Sequence, residues 1–329
     1  MKKTVLSGVQ PSGMPSLGNY LGAFSQFVKF QDTHEAFYCV VDLHAITVRQ
    51  DPDELRNNTY DIAAWFLASG LNPENCALFV QSHVHEHAEL GWLLSTFTQM
   101  GELERMTQFK DKAARHKHNI NAGLFTYPTL MAADILLYQA HEVPVGHDQT
   151  QHLELTRDIA TRVNGAYGEV FTLPKAVIPK AAARVKDLQN PERKMSKSEA
   201  GGGCILLADE PNAIEKKIKR AVTDNEGVVR YDEANQPGVA NLLGIFAACK
   251  NMTIEQAEAH FKDARYGDFK VAVAQAVRDE LEPLQERYYA IMADKKELDD
   301  ILAHGAKKAR KRAHKTLAAV KDKIGLVKG

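Results

Sequence analysis

Four cysteines are few for 329 residues, and Cys39, Cys76, Cys204 and Cys249 stand far apart with no C-x-x-C pair among them. This pattern suggests neither a zinc site nor a disulfide framework. Buried, inert thiols in a reducing compartment are expected instead. Net charge is nearly absent, with 41 basic residues against 42 acidic ones. A nucleic-acid partner would therefore have to meet a local basic face, not a polycation. No run of about 18 apolar residues occurs, so no membrane span is expected. Met1 to Ser7 leads straight into an apolar strand with no secretory signal region, which points to the cytoplasm. The chain also lacks an internal repeat, a Walker loop and a G-x-G-x-x-G fingerprint.

What remains is ordinary globular material, 44% hydrophobic and 25% charged. The length fits about two domains at roughly 100–200 residues each. Thr4–Ser7, Ala36–Val41 and Ala77–Gln81 read as buried strands. Between them, one helix runs from near Asn19 to about Gln31. Another opens on Asp51-Pro52, with Asp51 as cap, and stops near Gly70. Alternating strands and helices imply an α/β fold with a Rossmann-like parallel sheet. Ligands bind such sheets at the carboxyl ends of the strands, which places the loop Gly8–Gly18 and the segment Asp42-Leu43-His44 on one edge.

Further helix is expected from Ala88 to about Gln108, then a polar loop over Lys110–Asn121. An apolar helix follows over Thr126–Tyr138, opened by Pro128, then a short strand at Val143–Gly146 and a helix over Gln151–Asn164. Beyond residue 205 strand signals fade. We read 1–205 as the catalytic domain, with an inserted helical dimerisation segment, and 206–329 as a smaller all-helical domain.

Two segments carry chemistry. Gln10-Pro11-Ser12-Gly13-Met14-Pro15-Ser16-Leu17-Gly18-Asn19 joins a strand to a helix start, where free N–H groups and the helix dipole suit a phosphate. A plain βα turn capped by Ser16 or Asn19 would look the same. Arg193-Lys194-Met195-Ser196-Lys197-Ser198 packs three cations and two hydroxyls into six residues. Cations so close repel one another unless an anion such as a triphosphate lies among them, although most charge runs are solvated.

Taken together, these segments resemble the two signatures of the class I aminoacyl-tRNA synthetases, and residues 194–198 match the second signature letter for letter. The runs 101–110, 130–138, 143–149 and 216–224 look like those of the tryptophanyl branch, bacterial type, and the resemblance covers nearly the whole chain from Thr4. Ser16 and Asn19 stand where many class I members have histidines, which fits that branch. Glu199 to Cys204 departs from the usual sequence after the second signature.

The resemblance implies a tryptophan–tRNA ligase that uses ATP, accompanied by Mg²⁺, to load L-tryptophan onto tRNA(Trp), and it implies a homodimer and a helical anticodon-binding domain. It implies that Gln10, Pro11, Ser12, Gly18, Asn19, Gly146, His147, Asp148, Val185, Lys194, Met195, Ser196, Lys197 and Ser198 hold ATP. Lys112, Lys194 and Lys197 would meet its phosphates as catalytic groups. Gln10, His44, Tyr127, Met131, Asp134, Val143, Val145 and Gln149 would hold tryptophan.

Asp134 agrees on its own terms. It is the only charge between Thr126 and Tyr138, and Leu130, Met131, Leu137 and Tyr138, three and four residues away, include no cation. A buried carboxylate without a donor is costly. An indole N–H, which only donates, would supply one, as would backbone or a distant Arg.

The alternation His83-x-His85-x-His87 begins a helix on this reading, so its side chains diverge and a metal site is not expected. His116 and His118 read as solvated loop residues. The basic run Lys307–Lys315 reads either as a solvated helix face or as a contact for RNA phosphates. Competing readings are a tyrosyl-tRNA synthetase, a silent RNA- or protein-binding paralogue, and a nucleotidyltransferase for a small metabolite.

Overall fold

A computed structural model describes residues 2–115, 120–178, 185–196 and 202–327. Strand β1 (Thr4–Val9) is followed by a helical stretch made of α1 (Leu17–Asn19), a π turn over Tyr20–Phe24, and α2 (Ser25–Thr33). Next come β2 (Glu35–Val40), the short α3 (Asp42–Ala45), α4 (Pro52–Ala68) and β3 (Cys76–Val80). Helices α5 (Glu86–Ser95), α6 (Met100–Glu104), α7 (Thr107–Arg115) and α8 (Ala122–Leu137) lead to β4 (Glu142–Pro144), α9 (Thr150–Tyr167) and β5 (Lys175–Val177). The named elements that follow among the described residues are helices: α10 (Pro211–Lys219), α11 (Pro237–Cys249), α12 (Ile254–His260), α13 (Tyr266–Ala293) and α14 (Lys295–Ile324).

Among the described residues, five strands form one parallel sheet in the order β3-β2-β1-β4-β5. Val5 pairs with Ala36 on one side of β1 and with Glu142 on the other. The connection order reverses between β1 and β4, so a ligand crevice opens at their carboxyl ends. This bears out the α/β reading and the shared edge. β5, the fifth strand, is only three residues long and its pattern is exposed, so it carried no apolar signal.

Local chemistry explains most boundaries. Asp51 caps α4 by accepting from the Asp53 and Glu54 N–H groups, and Pro52 fills the first turn. Two expectations need correction. Lys110–Arg115 belongs to helix α7 and is not loop; α7 is strongly amphipathic, and its polarity resembles that of a loop. Helix α8 opens at Asn121, whose side chain accepts from Leu124 N–H, and Pro128 lies inside it. His116 and His118 lie outside the described residues.

Helix α14 returns to the sheet. Its Ala306, Ala309, Ala313, Leu317 and Val320 share a buried cluster with Ala77 and Phe79 of β3. The approach is close enough that a Cβ on Gly305 would lie 1.8 Å from the Leu78 carbonyl oxygen. Gly305→Ala is therefore expected to lower stability by about 3 kcal/mol or more, the upper end for overpacking, because backbone and not a rotatable side chain is in the way. The shift of the denaturation midpoint checks it.

Burial accounts for the thiols. Cys39, Cys76 and Cys204 are buried, and Cys249 is partly so. Desolvation pushes the Cys76 and Cys249 pKa values up to about 12, so both stay protonated and unreactive. No described helix is long and apolar enough to cross a membrane.

Candidate active site

The loop after β1 and the segment 185–207 are built as one unit. Leu17 N–H donates to Ile205 O at 2.8 Å and Leu207 N–H to Pro15 O at 2.9 Å. Met195 N–H donates to Val185 O at 3.0 Å. Gly18 faces both, since a Cβ there would lie 3.5 Å from Val185 and 3.8 Å from Met195. Thus Gly18, Val185 and Met195, far apart in sequence, meet at the start of α1. Val185, an unremarkable apolar residue in the sequence, gains its meaning only from this contact.

Ser16, and not Asn19, is the cap of α1. Its hydroxyl accepts from Asn19 N–H at 3.3 Å, and Asn19 Oδ1 accepts from Ser16 N–H at 2.9 Å. The capped turn is real, and it leaves Ser12 and Asn19 exposed at the mouth of the crevice, with Pro11 buried beneath.

Lys194 is exposed and makes no ion pair among the described residues, while its backbone bridges Lys186. Ser196 follows, partly buried and engaged. Lys197 and Ser198 lie outside the described residues, as does the side chain of Lys112. The base of the loop is tightly packed. Asp187 Oδ1 accepts from the N–H groups of Gln189 and Asn190, and a Cβ on Gly203 would lie 2.0 Å from that oxygen. Gly203 is thus required by close approach.

On the other side of the crevice, Gly146, His147 and Asp148 lie exposed in a turn just after β4, with Gln149 donating to Asp148 at 2.9 Å. Val143 is buried in the middle of β4, and Val145 and Met131 pack on the same cluster. Tyr127, Met131 and Asp134 follow at helical spacing, so they share one face of α8. The Tyr127 ring meets His44 edge to face at 6.2 Å, and its hydroxyl lies 2.9 Å from His152 Nε2.

Asp134 corrects one premise. Its neighbours on α8 offer no cation, yet it is not without donors. His44 Nε2 lies 2.7 Å from Oδ2, and His87 Nδ1 and Gln81 Nε2 lie 2.6 and 2.7 Å from Oδ1. The partners come from α3 after β2, from the helical turn after β3 and from α5, where spacing along α8 cannot reveal them. Burial alone would raise the Asp134 pKa, but the His44 and His87 imidazoles outweigh it and hold the carboxyl well below the usual range. Gln10 joins the same edge by donating to His44 O at 3.3 Å.

His83 and His85 are exposed and His87 is buried, so the three histidines diverge as a helix start requires. His87, His152 and Gln81 are the members of the site that sequence reasoning missed. The His-x-His-x-His spacing around His87 carries no sign of a carboxylate partner 47 residues away.

Comparison with known proteins identifies the family. Residues 2–282 match the model of the family "tRNA synthetases class I (W and Y)". The chain is 54% identical to a tryptophan–tRNA ligase of Clostridium tetani over 99% of its length and 96% of the relative's. It is 53% identical to one of Listeria monocytogenes, over 99% and 98%. Among solved structures, a tryptophanyl-tRNA synthetase from Mycoplasma pneumoniae superposes with a TM-score of 0.92 at 39% identity, covering 99% of both chains. One from Campylobacter jejuni, complexed with ADP and tryptophan, gives 0.82 at 38% identity over 98% of this chain and 100% of that one. With its parallel sheet, its paired signature segments and relatives matched end to end, the chain belongs to the bacterial-type tryptophanyl-tRNA synthetases of class I.

Proposed function

We propose that the crevice between β1 and β4 activates L-tryptophan with ATP and that Asp134 selects the amino acid. The observation that carries this is the arrangement around Asp134. Two donors fill Oδ1, whereas Oδ2 takes one, leaving a lone pair for an indole N–H beside Tyr127 and Met131. Val143 and Val145 would close the apolar wall, with Gln10 and Gln149 near the amino acid's polar end.

The tryptophan carboxylate attacks the α-phosphorus of ATP, delivered as its Mg²⁺ complex. A P–O bond forms, the bond to the β-phosphate breaks, and pyrophosphate leaves. A terminal ribose hydroxyl of tRNA then attacks the acyl carbon and AMP departs. No protein nucleophile is needed; the site positions the reactants and stabilises phosphate charge. Lys112, Lys194 and Lys197 supply that charge. Gln10, Pro11, Ser12, Gly18 and Asn19 hold the nucleotide from one side, Gly146, His147 and Asp148 from the other, and Val185, Met195, Ser196 and Ser198 cover it.

We place the catalytic unit at 1–205 and the anticodon-binding unit at 206–329, with α14 folded back on the sheet. Homodimer formation is supported by Trp92 and Met100, 72% and 64% exposed on the helical insertion. The work of the enzyme in translation supports a cytoplasmic location.

Only part of the basic run 307–315 is free for RNA. Lys308 donates to Pro73 O, Arg310 to His83 O, and Arg312 to Tyr138 O. Lys307, Lys311 and Lys315 are exposed and make no ion pair among the described residues. Replacing Lys311 and Lys315 together by glutamine is expected to weaken tRNA aminoacylation several-fold and flatten its salt dependence by about two phosphates' worth, with pyrophosphate exchange unchanged. Equal loss in both assays would assign these lysines to the fold.

Exchange of ATP and pyrophosphate, tested with each amino acid in turn, tests the whole reading. Signal with tryptophan alone supports it. Signal with tyrosine supports the tyrosyl alternative, and no signal supports a silent paralogue.

A further inference from the structure

Asp134 is gripped asymmetrically. Both donors to Oδ1, His87 Nδ1 at 2.6 Å and Gln81 Nε2 at 2.7 Å, are side chains wholly shut off from solvent. Both join the site only through Asp134, and neither is among the residues read as touching tryptophan or ATP. His44, the donor to Oδ2, is partly exposed and lies toward the crevice.

Each anchor is itself fixed. His87 Nε2 lies 2.8 Å from the Tyr138 hydroxyl, and its ring sits 6.0 Å from Phe79 and 5.5 Å from Tyr138. Burial drives the Tyr138 hydroxyl's pKa far above its usual value, so it keeps its proton. A hydroxyl that donates to Nε2 leaves Nδ1–H to donate to the carboxylate, which sets the tautomer. Gln81 is set from its other end. Its Oε1 accepts from Leu43 N–H at 3.1 Å, so its amide nitrogen must point to Asp134. Leu43 follows Asp42, whose Oδ1 also accepts from Ser82 N–H at 2.9 Å and ties the two strand ends together.

A carboxylate offers about four acceptor sites. With both Oδ1 sites filled and the anchors unable to turn, the carboxylate cannot rotate, and one oriented lone pair on Oδ2 is left.

We propose that His87 and Gln81 are positioning residues for amino-acid selection: by saturating Oδ1 they aim the remaining Oδ2 lone pair at the indole N–H. This rests on the reading of Asp134 as the indole acceptor. His87 is not a catalytic residue, since it touches neither substrate nor reacting atoms.

The test compares L-tryptophan with 3-benzothienyl-L-alanine, in which sulfur replaces the ring N–H. Dissociation constants come from calorimetry, with the KM for ATP as a control. His87→Leu is expected to weaken tryptophan binding about 10–100-fold, the range for a hydrogen bond to a charged group. The benzothienyl compound should bind within about threefold of its original affinity. His87→Asn, whose amide nitrogen can take the place of Nδ1–H, should restore most of the preference. Gln81→Met should show the same selective loss, and it carries the test if His87→Leu does not fold. Equal losses for both compounds, or no rescue by His87→Asn, would overturn the proposal. Asp134→Ala, measured in parallel, separates the two levels. If it leaves the tryptophan-to-benzothienyl ratio unchanged, the indole reading itself has failed.

Discussion

Asp134→Asn is expected to cut tryptophan-dependent pyrophosphate exchange by about 10²–10³ in kcat/KM, which corresponds to about 3–4 kcal/mol of lost interaction. The asparagine nitrogen cannot accept, so it would face donors from His44 or from His87 and Gln81, whichever way the amide turns. The loss should fall on selection first. A site built around one hydrogen bond can reject analogues lacking that donor by about 10⁴–10⁵, and that margin against phenylalanine should shrink. Unchanged tryptophan affinity in the variant would make the carboxylate a structural group only.

The same substitution should destabilise the fold by about 3–5 kcal/mol, as expected when one member of a buried charged cluster is removed. The pH dependence has a definite sign. The Asp134 pKa is depressed in the folded state, so its contribution is fully present above the unfolded value near about 3.9 and is lost as pH falls toward the folded one. Melting temperatures of parent and variant should therefore converge below about pH 4.

Lys197→Ala is expected to slow adenylate formation by about 10²–10³, the scale for removing one group that stabilises transition-state charge. Tryptophan affinity should hold within about twofold, because the described start of the loop 193–198 packs through Met195 on Gly18, whereas Asp134 lies on α8. Lys194→Ala should show a similar but smaller loss: its side chain is exposed and its backbone is held by the bridge to Lys186. Pre-steady-state formation of the adenylate separates this step from product release. Unchanged exchange in Lys197→Ala would remove the lysine from the chemistry.

How far the sequence led depends on where each signal resides. The cap at Asp51, the apolar strands and the basic signature are local patterns, and local patterns are legible along a chain. The meeting of Gly18, Val185 and Met195 is a product of tertiary packing and leaves no local mark on Val185. Asp134 shows both sides. Its isolation on an apolar helix was visible, whereas its three donors arrive from other elements, up to 90 residues away. Lys110–Arg115 of α7 reads as loop because an amphipathic surface helix without its apolar partners has the composition of a loop.

The contact between α14 and β3 also bears on how the protein is made. β3 is one of the two edge strands of the described sheet, and part of its cover lies more than 220 residues downstream, where Gly305 meets Leu78. During synthesis at about 5–20 residues per second, that edge waits on the order of ten seconds or more for its cover. An uncovered strand edge in that interval is a template for misassembly. The nucleotide-binding sheet, though encoded first, is thus among the last parts of this synthetase to be sealed.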